Sequence, residues 1–549
     1  MKQLEQIMEE NDRAHWADSI ASKLISSNPN KKKFVCAAGI SPSGIIHIGN
    51  FRDIITSDLV CRSLRDKGYE ADLIFSWDEY DRLRKIPKGV PEDFSKYMGM
   101  PLAGVPDPYK CHDSYASHFK EPFEEVMPQL GIPIKFLYQS EKYKKNEYYK
   151  GIKTAMQKRK QIAEILSNFK TQGMTEDQIE NYYPLQIYCE ECKKGTTTKI
   201  VDYDNEDKVT YKCECGNENT VDISKKSIGK LDWKVDWPMR WKHEGVDFEP
   251  GGEDHATPGG SFDVSSRIAK EIYKIKPPYF QGYGFVGVEG AYKMSGSTGT
   301  GIAPKDLLEI YEPELLRWLF TRINPSKKIT LFFDSQIIRQ YDEFDREILR
   351  YNSKEKDEKD KESSTNLSQT QLSPSEKRAL EFATIDSKKP LTKERVPFRQ
   401  IGSFGQVAQG NFSELKKMYE RIGEKYPDHI LRQRLVKSQN WIDKFAPESK
   451  INVRSEPNKD YYKKMTKEEK EQLNKFRNEF EKHWDLEDLT TFVYGIPKRP
   501  EMSEDEKKTS QRKFFKNVYE MLIDAETGPR LPTFLLALGK ERVKGLLEV

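Results

Sequence analysis

Near the N-terminus the apolar run KFVCAAGI (Lys33 to Ile40) is too short for a helix and is closed by Gly-Ile-Ser-Pro-Ser-Gly. The next stretch, IGNFRDIITSDLVCRSLRDKG, carries apolar residues three and four apart, so strand, loop and helix are predicted in that order. After Gly68, ADLIFSWD is a second buried-strand candidate, and residues 1–78 predict a β-α-β unit of a parallel sheet. A similar set follows residue 230: WKVDWPMRW read as a strand, VDFEPGGEDH, a helix over SSRIAKEIYKI, and YFQGYGFVGVE. The pattern predicts an α/β fold, a split Rossmann-type doubly wound parallel sheet whose halves are 1–78 and 231–300, separated by an insertion at 79–230.

Beyond a short region at 301–353 the pattern changes. Residues 354–375, KEKDEKDKESSTNLSQTQLSPS, mix dense charge with Ser, Thr, Asn and Gln and read as a flexible linker or loop. From 376 to 549, SELKKMYERIGEKY, HILRQRLVKSQNWIDKF, KEEKEQLNKFRNEFEKHW and QRKFFKNVYEMLIDA each have helical periodicity, so an all-helical C-terminal domain is expected.

A chain of 549 residues is long enough for several domains. No stretch approaches ~18 consecutive apolar residues and the N-terminus lacks a secretory signal pattern, which places the expectation in the cytoplasm, away from membranes. Lys and Arg number 91 against 88 Asp and Glu, which excludes a uniformly basic nucleic-acid binder but not local basic surfaces. Five of the seven Cys fall in the insertion, a distribution that favours metal ligands over disulfides in a reducing compartment. Cys189-x-x-Cys192 and Cys213-x-Cys215 form two knuckles suited to a tetrahedral structural zinc. Asp107, Cys111, His112 and His118 gather S, N and O ligands in twelve residues, a second zinc candidate; unliganded surface His residues are the alternative.

Two motifs suit phosphate chemistry. In Ser41-Pro-Ser-Gly-Ile-Ile-His47-Ile-Gly49-Asn50, a helix start offers free N–H groups to an anion, Gly49 permits close approach, and His47 and Asn50 can donate hydrogen bonds. Tyr292-Lys293-Met294-Ser295-Gly296-Ser297-Thr298-Gly299 surrounds one cation with small and hydroxyl residues. Taken singly, the first is equally consistent with a turn and the second with an ordinary loop. Their order, at the two ends of a split sheet, links them.

His47-Ile-Gly-Asn50 and Lys293-Met-Ser-Gly-Ser297 resemble the two signature motifs, HIGH and KMSKS, of class I aminoacyl-tRNA synthetases. Asn50 stands where the motif has a second His, and Gly296 where it has a second Lys. The strings SWDEYDR (76–82), WKVDWPMRW (233–241), GEDHATPGGS (252–261) and FLLALGKERV (534–543) resemble the class I lysyl-tRNA synthetases, a likeness along nearly the whole chain. The resemblance implies ATP-dependent activation of L-lysine with Mg2+, then transfer of the lysyl group to the 2′-hydroxyl of the terminal adenosine of tRNA(Lys). It implies catalytic roles for His47, Asn50 and Lys293, and an ATP site including Gly49, Gly252, Asp254, Lys293, Met294 and Ser295. For lysine it implies Gly39 and Ser41 near the amino or carboxylate group, with Trp237 and Tyr283 flanking the side chain; His255 either faces the substrate or packs. Asp78 and Asp81, with Glu79, are the carboxylates expected to face the ammonium; ion pairing with nearby Arg residues is the competing reading. On a strand, Trp233, Asp236 and Trp237 would not all share a face. The likeness strengthens the second zinc site, assigns the insertion to the tRNA acceptor end, 301–353 to the tRNA stem and the C-terminal helices to the anticodon, and favours a monomer. A glutamate-like specificity, or a tRNA-binding paralogue without catalysis, are the rival readings.

Overall fold

The computed structural model of the protein describes residues 14–289, 302–352, 371–386 and 390–549. Strand β1 (Lys33–Ile40), helix α1 (Ile48–Asp66) and strand β2 (Glu70–Trp77) form the parallel β-α-β unit that the periodicity predicts. Four of the eight residues of β1 and five of the eight of β2 are buried, which is why they read as near-continuous apolar runs.

The insertion is not wholly separate from that unit. Helix α2 (Tyr115–Val126) leads to strand β3 (Lys135–Tyr138), which pairs in parallel with β2 and closes one edge of the main sheet. Four residues gave no periodicity from which to read a strand. The rest of the insertion contains the antiparallel pair β4 (Leu185–Ile187) and β8 (Gly229–Leu231), enclosing a meander of β5 (Thr198–Tyr203), β6 (Lys208–Cys213) and β7 (Glu218–Asp222).

WKVDWPMRW is a helix, not a strand: α3 runs Trp233–Glu244. Trp233, Trp237 and Trp241 recur at helical spacing, and the three indoles pack in succession with centroids 5.0 and 4.9 Å apart. Pro238 removes the donor for the Lys234 carbonyl, and the Ser265 hydroxyl replaces it at 3.1 Å, so the helix continues through the proline.

Strand β9 (Phe248–Gly252), helix α4 (Ser261–Glu271) and strand β10 (Tyr279–Tyr283) complete the second half. YFQGYGFVGVE divides at Gly284-Phe285: β10 belongs to the main sheet, whereas β11 (Val286–Glu289) pairs with β12 (Ile329–Phe332). The five-stranded sheet is parallel throughout, in the order β10-β9-β1-β2-β3. The direction of strand order reverses between β1 and β9, so their carboxyl ends, at Gly39 and Gly251, border the crevice where such sheets bind ligands.

Two compact units divide the chain. The first comprises Met1–Leu308, Pro313–Phe332 and Ser353–Leu391; the second comprises Glu309–Glu312, Phe333–Asn352 and Thr392–Val549. The division falls differently from the sequence boundaries. The helix Pro374–Ala383 returns to the first unit, where the buried Arg317 guanidinium donates to the Phe382 carbonyl at 2.8 Å and pairs with Asp58 at 2.8 Å. In the second unit the helices Phe412–Arg421, Asp428–Phe445, Lys467–Glu479 and Glu504–Ile523 match the four periodic segments. Arg434, buried within this unit, pairs with Glu312 at 2.8 Å and Asp345 at 2.5 Å. The 354–375 segment lies mostly outside the described residues. Among the described residues, no helix is long and apolar enough to cross a membrane.

Candidate active site

The start of α1 is closed by a reciprocal cap. Gly49 N–H donates to His47 Nδ1 at 3.1 Å, and His47 N–H donates to Asn50 Oδ1 at 3.1 Å. The network assigns the ring proton to Nε2, and desolvation lowers the ring pKa, so a neutral imidazole presents an N–H donor. Asn50 uses its oxygen in the cap, which leaves its amide N–H2 as a second donor; a His could not make the same cap with a carbonyl. Gly49 is required because a Cβ there would lie 2.9 Å from the His47 ring.

Arg52, one turn further along α1, was not singled out from the sequence. Its buried guanidinium donates to the carbonyls of Gly284 (2.9 Å), Pro325 (2.7 Å) and Lys327 (2.6 Å), and burial lowers its pKa to about 10. One side chain thus fixes the β10–β11 junction against α1.

Two clefts meet at the switch point. The first, of about 980 Å3 including its open mouth, is lined by His47, Gly49, Asn50, Gly252, Asp254, Tyr283 and the junction residues Gly284 to Val286. The second, of about 610 Å3, is lined by Gly39, Asp53, Trp233, Trp237, Arg240, Glu249, His255 and Tyr283. Gly252 and Tyr283 line both, so ligands in the two clefts would approach each other there. The helical form of α3 places Trp233, Trp237, Arg240, Trp241 and Glu244 together on the second cleft, which the strand reading would have prevented. Ser41 lies just past β1 and lines neither cleft; Lys293, Met294 and Ser295 lie outside the described residues.

The acidic cluster at the end of β2 is engaged elsewhere. Asp78 pairs with Arg240 at 2.6 Å and Lys230 at 3.3 Å, and Asp81 pairs with Lys230 at 2.5 Å. Although burial opposes ionisation, Arg240 and Lys230 together hold the Asp78 carboxyl below its ordinary range. Asp236 completes this network, 3.3 Å from Arg240, and accepts the Tyr143 hydroxyl. Glu79 accepts from the N–H groups of Gln139 and Ser140 at 3.1 and 3.0 Å. None of Asp78, Glu79 or Asp81 lines the second cleft.

Its carboxylates are Asp53, Glu244 and Glu249. Asp53 is 6% exposed, accepts the Gly39 N–H at 3.1 Å and lies beside the Tyr283 hydroxyl; burial pushes its pKa well up. Glu249 accepts the Trp241 indole N–H at 2.6 Å and is likewise raised by burial. Both were legible in outline: Asp53 follows Asn50 by three residues, on the same helical face, and Glu249 interrupts an otherwise apolar strand.

The two cysteine knuckles converge. Cys189 and Cys215 sulfurs lie 3.7 Å apart and those of Cys192 and Cys213 3.6 Å apart, with all four within 4.8 Å of one another. Four Zn–S bonds of about 2.3 Å in a tetrahedron separate sulfurs by about 3.8 Å, so the group fits zinc. Burial opposes the Cys189 thiolate, but the Cys192 N–H and the Asn217 amide bring its pKa down to about 6. In the second group, Cys111 Sγ lies 3.1 Å from His112 Nδ1 and 3.3 Å from His118 Nδ1, and His118 Nδ1 lies 3.4 Å from Asp107 Oδ1. Asp107 is set in place by the N–H groups of Tyr109, Cys111 and His112 at 2.9, 2.7 and 2.8 Å, which outweigh its desolvation and hold its pKa at about 2. This donor set also fits a tetrahedral metal.

Comparison with known proteins adds a family. Residues 14–371 match the model of the tRNA synthetases class I (K). The chain is 36% identical to the lysine–tRNA ligase of Pyrococcus horikoshii over 539 residues, covering 96% of this chain and 98% of that one. It is 35% identical to the lysine–tRNA ligase of Borreliella burgdorferi over 542 residues, with the same shares covered.

Proposed function

We infer the reaction from the family as premise: the chain belongs to the class I (K) tRNA synthetases, and it ligates L-lysine to tRNA(Lys) at the expense of ATP. The observation that supports this most directly is the pair of clefts meeting at Gly252 and Tyr283. Lysine occupies the Trp-lined cleft and Mg-ATP the cleft at the start of α1, so the lysine carboxylate faces the α-phosphate at their junction. Attack of a carboxylate on phosphorus needs no protein base; the protein contributes positioning and compensation of charge. His47 Nε2–H and the Asn50 amide donate to phosphate oxygens, Asp254 accepts from a ribose hydroxyl, and Lys293 follows the leaving pyrophosphate. The lysyl group then passes to the terminal 2′-hydroxyl of tRNA.

Lysine specificity follows from charge. Among the described residues the cleft offers Asp53, Glu244 and Glu249, while its one Lys or Arg, Arg240, is already paired with Asp78 and Asp236. Glutamate would need a free cation, which this cleft lacks among the described residues. The experiment is amino-acid-dependent pyrophosphate exchange, with and without tRNA: lysine supports exchange and glutamate does not. Exchange with glutamate, or none with either despite tRNA binding, would reject the reading.

The two metal groups hold zinc structurally, their four protein ligands leaving no open position. Cys213→Ser is expected to reduce bound zinc from two to one per chain by elemental analysis and to lower the melting temperature by about 10 °C. Two zinc ions retained in that variant would exclude the assignment. The enzyme works in the cytoplasm, the insertion meets the acceptor end, and the C-terminal helices meet the anticodon arm.

A further inference from the structure

A third cleft, of about 1000 Å3 including its mouth, opens beside the nucleotide cleft and shares Ile302 with it. Its walls are Ile45 and Ile46, Tyr109, Phe119 and Phe123, and the start of the segment after residue 301. The Ile302 carbonyl accepts the Ile48 N–H at 2.8 Å, and the Tyr115 hydroxyl of α2 donates to the Ser43 carbonyl at 2.8 Å. The wall is therefore tied at two points to the segment that carries His47.

Tyr109 is unusual among the aromatic residues because it is both exposed, at 48%, and fixed. Its ring stacks on His118 with centroids 4.5 Å apart and planes 30° apart; its hydroxyl donates to the Gly89 carbonyl at 3.2 Å; its N–H donates to Asp107. Ile45 is also exposed, and Lys305, 62% exposed in its side chain and 3.8 Å from the Glu125 carboxylate, stands at the rim beside Asp306. A rigid aromatic ring, apolar walls and a rim cation are what a flat heterocycle on a phosphodiester chain requires.

We propose that this cleft takes an unpaired base of the 3′ tail of tRNA, stacked on Tyr109, so that the chain enters the reaction cleft past Ile302. The proposal rests on the tRNA-acylation reading. The Asp107 to His118 group then acts at a distance from its metal, by orienting His118, which backs the Tyr109 ring.

The test measures Kd for tRNA(Lys) with its 3′ tail intact or trimmed away, using the full chain and its Tyr109→Ala and Tyr109→Phe variants. The unmodified enzyme loses about tenfold in affinity on trimming. Tyr109→Ala binds intact tRNA about tenfold more weakly and is indifferent to trimming, Tyr109→Phe behaves like the unmodified enzyme, and the Kd for ATP is the same in all three. If Tyr109→Ala still loses tenfold on trimming, or weakens both tRNAs equally, the proposal fails. A weakened Kd for ATP in Tyr109→Ala would assign the cleft to the nucleotide and also overturn it. Failure of the unmodified enzyme to bind or acylate tRNA(Lys) would count separately, against the acylation reading.

Discussion

Glu249→Gln and Asp53→Asn are each expected to raise the KM for lysine by about 10- to 100-fold while changing the KM for ATP far less. A charged hydrogen bond contributes about 1.5–3 kcal/mol, and an ammonium taken from water without a carboxylate loses that and its compensation. Both carboxyls line the Trp-walled cleft, and burial pushes both above the ordinary carboxylate range. The sign of the pH effect follows. A raised pKa means that these groups take up a proton at higher pH than an exposed carboxyl, and the bound ammonium favours their ionised form. Lysine binding therefore releases protons, and its KM rises as pH falls through these raised values, by at most about tenfold per unit for each proton. Steady-state kinetics from pH 5 to 8 would measure this; a flat KM in the parent enzyme, or an unchanged KM in both variants, would remove these carboxylates from lysine recognition. Asp78→Asn is the contrasting case: it removes the carboxylate that the buried Arg240 and Lys230 share and leaves them only Asp236 and Asp81, so stability falls first.

Lys293→Ala is expected to lower the rate of adenylate formation by about 10²- to 10³-fold, the scale of removing one donor aimed at developing charge. With Gly296 in place of the motif's second Lys, no other cation of the KMSGS string substitutes for it. Pyrophosphate exchange at saturating lysine is the measurement, and because Lys293 would act in the transition state, the KM for lysine should be little altered. Normal exchange in the variant would exclude the role.

The parts of this molecule that were legible in the sequence are those whose signal is local. β1, α1 and β2 declare themselves by periodicity, the cysteine knuckles by spacing, and His47 and Asn50 by the turn that precedes α1. What was not legible depends on partners distant in the chain. Asp78 looked available for a ligand because Lys230 and Arg240 are more than 150 residues away, and no pattern around residue 78 announces them. The strand reading of WKVDWPMRW missed the helical spacing of its tryptophans, and the Ser265 hydroxyl that relieves the proline comes from another helix. Arg52 resembles any helix-face arginine until the carbonyls of residues 284, 325 and 327 are assembled around it.

The place of β3 carries a consequence for how this protein can be cut and recombined. A zinc-bearing insertion between two halves of a nucleotide-binding fold invites removal as a cassette, yet its strand Lys135–Tyr138 hydrogen-bonds along β2 from Ile74 to Trp77. Excision of 79–230 would leave that edge bare, with Phe75 and Trp77 losing Phe136 as a neighbour, and a bare apolar edge seeks another chain. Any exchange of this segment between relatives must leave 135–138 behind or bring an equivalent strand.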